Sequence, residues 1–276
     1  MPTQKKIHTR VVFWLWTALF AGTAASPAHA EIIWMDGIQA DSPRWGFSGF
    51  GIEHPIGTKV STGEAGGAAL TRVASPQGGG FALRHFARFD DGGARSQAGI
   101  WSFADPIFDR QAKSAEGVWV AQEWYFPAAL SGGSWLNLWD WHSTDAGGGN
   151  RWHTSPGLML SHDGTMRVRY EWGGSAKAIN PMSSYSSISL PVNQWVDVEM
   201  HYEWSATKTA TVSLWINGQL ALEQRGVQTR AASHSVVETY IKFYGEGHTT
   251  PWTPTPSVKY VRNVRIGNAR IWKAQP

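Results

Sequence analysis

The stretch Trp135-Leu136-Asn137-Leu138-Trp139-Asp140-Trp141-His142 reads as a β-strand whose last four residues alternate aromatic and ionisable side chains. Side chains two apart on a strand share a face, so Asp140 and His142 point one way while Trp139 and Trp141 point the other. One face has the composition of a core, the other that of a site. A second stretch, Glu238-Thr239-Tyr240-Ile241-Lys242-Phe243-Tyr244, repeats the arrangement, with Thr239, Ile241 and Phe243 alternating with Glu238, Tyr240, Lys242 and Tyr244. Two strands that carry ionisable and phenolic groups on one face predict a groove that handles a polar polymer.

Around these two stretches the chain continues in the same idiom. Strands are predicted at 32–34, 69–74, 81–89, 99–103, 117–126, 135–142, 157–161, 166–172, 195–204, 211–216, 219–224, 236–244 and 259–272. They recur at the spacing of a β-sandwich with turn residues between them, and helix-period stretches are almost absent. Neither an internal repeat nor a linker interrupts them, so one all-β domain is predicted. Asn217-Gly218 is a hairpin signal between two alternating runs, and Asp163-Gly164 is a second. In 195–204, Val196, Val198, Met200, Tyr202 and Trp204 oppose Asp197, Glu199, His201 and Glu203, and the acid-rich side is expected to be a solvated outer surface. Long irregular stretches fall at 36–58, 144–156, 177–191 and 245–257. Loops of that length are usually functional or mobile. The last follows Tyr244 directly and carries Trp252, which is expected to border the groove; His153 and His248 would line it from loops.

Residues 1–30 read as a secretion signal: Lys5, Lys6 and Arg10 precede an apolar run from Val11 to Ala21, and Ala28-His29-Ala30 supplies a cleavage point. The mature domain is then 31–276, secreted or periplasmic, with no membrane association after cleavage, because the run is short for a span. The signal holds three of the 24 Lys+Arg and none of the 21 Asp+Glu, so the mature chain carries 21 of each. Nothing in that balance, and no basic run, favours nucleic acid or an anionic membrane. With no cysteine in the chain, disulfides and thiolate chemistry are excluded. The 30 Gly and 17 Trp suit many turns joined to either thick cores or sugar-stacking platforms.

In three motifs the chain resembles the jelly-roll, concanavalin A-like polysaccharide lyases, the group of heparinase-type, glucuronan and alginate lyases. That group shows in order an Arg-Ser-Glu segment, a Gln-x-His segment and a Tyr-Phe-Lys-x-Gly segment leading to a catalytic Tyr. Here stand Arg95-Ser96-Gln97, Asp140-Trp141-His142 and Tyr240-Ile241-Lys242-Phe243-Tyr244-Gly245. Trp195-Val196-Asp197-Val198, the Leu214-Trp215-Ile216-Asn217-Gly218 hairpin and the closing Tyr260-Val261-Arg262-Asn263-Val264-Arg265-Ile266-Gly267 also look like the group, so the resemblance covers roughly 81–272. Gln97 stands in place of Glu, Asp140 in place of Gln, and Gly247 where the catalytic Tyr falls, which leaves Tyr244 as the nearest phenol.

The resemblance implies a β-jelly-roll sandwich, acting as a monomer, that cleaves a uronate-containing polysaccharide by β-elimination. Such a reaction removes the proton beside a carboxylate, and the developing enolate charge needs cations or hydrogen-bond donors. Arg95, Gln97 and Lys242 are the donors in the matching positions, and His142 and Tyr244 are the candidate base and acid. A phenol titrates near ~10 when unperturbed, so a Tyr base needs a neighbouring positive charge, which Lys242 would supply. Asp140, Tyr240 and Trp252 complete the expected substrate-binding set. Asp140 would repel a uronate and could instead orient His142, hold a cation or mark a neutral sugar. With no run of closely spaced oxygen ligands, neither metal nor cofactor is predicted.

Two other functions fit the same sandwich. A glycoside hydrolase needs two carboxylates across the scissile bond, for which Glu123 and Glu171 are the candidates. A carbohydrate-binding module of lectin or laminin-G type would use Trp and Tyr platforms alone. No Gly-x-Ser-x-Gly elbow occurs, and the Ser residues near His153 and His234 are read as ordinary loop residues.

Overall fold

A computed structural model describes residues 32–35, 50–51, 59–60, 68–89, 93–101, 106–145, 157–246 and 250–272. The predicted signal at 1–30 and the loop residues His153 and His248 lie outside them, as do the side chains of Arg95 and Gln97.

In chain order the strands are β1 (Ile32–Met35), β2 (Phe50–Gly51), β3 (Lys59–Val60), β4 (Ala68–Ala74), β5 (Phe81–Ala87), β6 (Gly93–Trp101), β7 (Val118–Tyr125), β8 (Trp135–Thr144), β9 (Gly157–Leu160), β10 (Val168–Glu171), β11 (Trp195–Tyr202), β12 (Ala210–Ile216), β13 (Gln219–Val227), β14 (Val236–Glu246) and β15 (Ser257–Gly267). Among the described residues all pairings are antiparallel and form two sheets. One runs β13-β12-β11-β7-β15-β5-β4-β3 with β1 on β15, the other β10-β9-β8-β14-β6-β2. The fold is the all-β jelly-roll sandwich that the strand pattern predicts.

The core lies between the sheets and is aromatic. Trp139 and Trp141 of β8 face Trp124 of β7 and Tyr202 of β11; Trp141 stacks on Tyr202 at 4.3 Å and 3°, and Trp124 meets Trp139 edge-on at 6.2 Å. The Trp141 indole donates to Met200 Sδ at 2.8 Å, so its one polar atom is satisfied where water does not reach.

Several sequence readings are corrected. Residues 106–112 form one short helix, α1 (Pro106–Ala112), started by a proline whose missing N–H costs nothing at a first turn, and its Phe108 stacks on Trp141 at 6.2 Å. Strand β6 starts at Gly93 instead of 99, which brings Arg95 and Gln97 onto a strand. The acid-rich side of β11 is solvated only in part: Asp197, His201 and Glu203 are half-buried, Asp197 accepting from Arg265 at 3.2 Å, whereas Glu199 is 2% exposed and accepts from the backbone N–H groups of Ile271 and Trp272. Burial raises both carboxyls. Glu199 is covered by the end of the chain, a contact that alternation within one strand cannot reveal. Asn217 and Gly218 both take positive φ, 47° and 74°, as a two-residue hairpin of the primed type requires. Asp163-Gly164, by contrast, sits inside a longer connection closed by Ser161 N–H donating to Arg167.

Trp252 is also corrected. Its ring is fully buried and stacks on His162 at 5.8 Å, so it presents no platform to the groove. Gly133, at φ +71°, lies against it, and a methyl group there would come within 1.6 Å of the indole nitrogen. Gly133→Ala is therefore expected to destabilise the fold by about 1–3 kcal/mol, the usual range for overpacking, readable as a lower urea midpoint with unchanged slope.

Candidate active site

The face of the β10-β9-β8-β14-β6-β2 sheet turned away from the core carries the polar residues of β8 and β14. Their presentation depends on an irregularity. Between β8 and β14 the register runs regularly from Val236↔Thr144 to Ile241↔Trp139, then shifts so that the next pair is Tyr244↔Asn137. On β8, Leu136 and Leu138 lie in the core, and so do Trp139 and Trp141. Two successive core residues, 138 and 139, change the phase of alternation. Trp135 and Asn137 therefore share the outward face with Asp140 and His142, although a regular strand would put 137 and 140 on opposite sides. Asn137 Oδ1 accepts the Trp139 N–H at 3.1 Å and so occupies the bend it helps to make.

Asp140 is the hub. Its Oδ2 accepts from Lys242 Nζ at 2.5 Å and lies 2.8 Å from His142 Nε2, and Lys242 Nζ is 3.4 Å from the same ring nitrogen. Burial alone would raise this carboxyl, but the Lys242 ammonium and the His142 ring outweigh it and hold the group well below the ordinary carboxylate range. An ionised carboxylate only accepts, so His142 presents Nε2–H to it. The other ring nitrogen, Nδ1, lies 3.7 Å from Glu238 Oε2, which also accepts the Tyr240 hydroxyl at 2.8 Å. His142, Glu238 and Tyr240 form a second row behind Asp140 and Lys242.

A pocket of about 350 Å³ opens in front, lined by Trp135, Asn137, Asp140, Met159, Glu171, Trp172, Gly173, Lys242 and Tyr244. Tyr244 is half-buried and meets the Trp135 ring edge-on at 4.6 Å and 90°, and Lys242 Nζ stands 5.9 Å from its ring centre. Of the residues expected in the site, Asp140, Lys242 and Tyr244 line this pocket. His142 touches two of them without lining it. Tyr240 is 1% exposed with its hydroxyl on Glu238, so a direct substrate contact is not what the structure gives it. Arg95 pairs with Tyr244 and Gln97 with Lys242 across β6 and β14, which places both backbones at the site.

Sequence reasoning assigned no role to Asn137, Trp135, Met159, Trp172 or Gly173. The Leu138-Trp139 apolar doublet was the signal for Asn137, because it marks where alternation breaks. The hydrolase pair does not form: Glu171 lines the pocket beside Arg169, 3.1 Å away, but Glu123 sits on the outward side of the other sheet, held by Arg262 and Asn263. His234 lies 2.8 Å from Ser143 Oγ, yet Ser143 is fully buried and offers no accessible nucleophile. Among the described residues, no group of three or more His, Cys, Asp or Glu is placed to hold a metal ion.

This arrangement can bind a sugar polymer and move a proton. Of the residues that line the pocket, Tyr244 carries a hydroxyl, Lys242 and Asn137 carry donors, and Asp140 carries a carboxylate whose Oδ1 is buried without a hydrogen-bond partner among the described residues.

Comparison with known proteins agrees with the fold. The structure is similar to an endo-β-1,4-glucuronan lyase from the fungus Trichoderma reesei, with 15% identity over 81% of this chain and 95% of that one and a TM-score of 0.55. It is also similar to the marine PL-14 alginate lyase from Aplysia kurodai, with 15% identity over 71% and 86% of the two chains and a TM-score of 0.51. No curated protein sequence matches the chain. The model of one family, described as Polysaccharide lyase, matches residues 46–253, and the chain belongs to that family.

Proposed function

We propose that the protein is an exported, monomeric lyase that cleaves a uronate-containing polysaccharide by β-elimination, with Tyr244 as the group that moves the proton. The observation that carries this reading is the placement of Tyr244 and Lys242 side by side in one pocket with Asn137 and Asp140. The two solved lyases are named for glucuronan and alginate, and uronate polymers are taken as the substrate class on that basis together with the family.

In the proposed step the phenolate of Tyr244 takes the proton from the carbon beside the uronate carboxylate. The electron pair forms the C4–C5 double bond, the C4–O bond breaks, and the departing sugar oxygen receives the proton from Tyr244. Negative charge grows on the uronate carboxylate as the proton leaves, and donors already aimed at that position lower the barrier. In this reading Lys242 and Asn137 supply those donors from the pocket wall, and Arg95 and Gln97, whose backbones pair with Tyr244 and Lys242, are assigned the same part by their place in the motif alone. Asp140 holds Lys242 in place through Oδ2. His142 presents Nε2–H to Asp140, so its part is to fix the carboxylate rather than to act first as base.

A panel of alginate, glucuronan and heparin, with neutral glucans as controls, tests the reading. At least one uronate polymer should yield product with the ultraviolet absorbance of an unsaturated uronate, and the neutral glucans none. Reducing ends from glucans without that absorbance would point to a hydrolase. Binding to glycans with no product from any uronate would leave a carbohydrate-binding module.

A further inference from the structure

Behind the step between β8 and β14, on the core side, lies a lysine that the proposed chemistry does not use. Lys259 is on β15, in the other sheet, and is fully buried, as is its cross-strand partner His85. Its Nζ stands 4.8 Å from the Trp124 ring centre and 6.0 Å from that of Phe243. It reaches across the sandwich to donate to the backbone carbonyls of Leu138, at 2.9 Å, and Lys242, at 2.5 Å. Both carbonyls fall inside the interval where the β8–β14 register shifts. A regular ladder supplies its own donors, and an irregular one needs them from elsewhere.

We propose that Lys259 is a positioning residue, which ties β8 to β14 at their register step from inside the core and so sets how Asn137, Lys242 and Tyr244 stand in the pocket. The proposal rests on the lyase reading above for what that placement accomplishes. A side chain needed only to fill volume at this point would be apolar, because an amine buried without a carboxylate is unfavourable and methionine fills the same space. Burial lowers the proton affinity of Lys259, and no described carboxylate offsets that effect. What lysine adds over methionine is a pair of N–H donors directed at one carbonyl on each strand. One of those carbonyls belongs to Lys242, whose ammonium holds Asp140, and Tyr244 follows two residues later. The other belongs to Leu138, the neighbour of Asn137. A loosened step therefore displaces a donor, the proton-transfer group and the polar bend together, and a misplacement of about 1 Å can lower a rate by about 10²-fold.

Lys259→Met tests this with two readouts. On whichever of alginate, glucuronan or heparin the wild type cleaves, kcat is expected to fall by about 10²-fold with KM changed by less than about threefold, because the groups are misaligned rather than removed. In ¹H–¹⁵N spectra the Trp135 indole and Asn137 side-chain signals should move, while those of Trp195 and Trp215, on the outward face of the other sheet, should not. A folded variant with unmoved Trp135 and Asn137 signals, or with kcat within about twofold of wild type, overturns the proposal. If wild type cleaves none of the three polymers, the lyase reading fails while the spectra still decide whether Lys259 positions the step. Should the methionine variant not fold, Lys259→Gln, whose head stays polar but whose shorter stem does not span to both carbonyls, is read by the same two measurements and the same outcomes.

Discussion

Tyr244→Phe is expected to lower the rate of unsaturated-product formation by about 10²–10⁴-fold, the usual contribution of a positioned acid or base, while polymer affinity stays within a few-fold. The ring is kept in this variant, and the ring makes the edge-on contact with Trp135 that fixes its place in the pocket wall. Only the hydroxyl is lost. Lys242, Asp140 and Asn137 remain to hold the sugar, so the loss belongs to kcat and leaves KM nearly unchanged, the pattern of a group that acts only in the transition state. His142→Ala provides the contrast. Its Nε2–H is committed to Asp140 and the ring lies behind the pocket lining, so its removal should act through the set of Asp140 and be smaller than the loss from Tyr244→Phe. Equal losses from the two variants at equal stability would return the base role to His142.

The sandwich was legible because its strands alternate so cleanly that period alone separates core from surface. Trp139 and Trp141 against Asp140 and His142 is one instance, and Val196, Val198 and Met200 on β11 is another. The grouping of Asp140, Lys242 and Tyr244 was legible for the same reason: each lies on the polar side of a strand, and β8 and β14 turn out to be hydrogen-bonded neighbours. What alternation could not give is anything set by a third element. Trp252 looked like a rim aromatic, but its ring is buried against His162 and Gly133 from distant parts of the chain. Glu199 looked solvated until the backbone of residues 271 and 272 closed over it. Asn137 was hidden by a change of phase inside one strand, and Lys259 by contacts it makes with carbonyls on two strands of the other sheet. In each case the deciding contact is long in sequence separation, where a local pattern carries no information.

The second large effect concerns stability. Asp140→Asn is expected to destabilise the fold by about 3–5 kcal/mol at neutral pH, the range seen when one partner of a buried ion pair is removed. Both side chains are 6% exposed, so the Lys242 ammonium would be left without its counter-charge where little water reaches it. The sign of the pH dependence follows from Asp140 titrating lower in the folded chain than in the unfolded one. As pH falls, the unfolded chain takes up the proton first, so the contribution is complete above the unfolded value of about 4 and is lost as pH drops through the lower, folded value. Urea midpoints of wild type and variant should therefore be far apart at pH 7 and converge in acid. Adding Lys242→Met to the variant removes the stranded ammonium, and because a buried pair replaced by apolar groups is often neutral or stabilising, much of the lost stability should return. Activity should not return with it, since the donor proposed to meet the uronate carboxylate is gone. Recovery of both in the double variant would reduce the pair to a structural bridge and remove Lys242 from the chemistry; a single variant as stable as wild type at pH 7 would show that Asp140 does not carry the charge that holds Lys242 in the pocket.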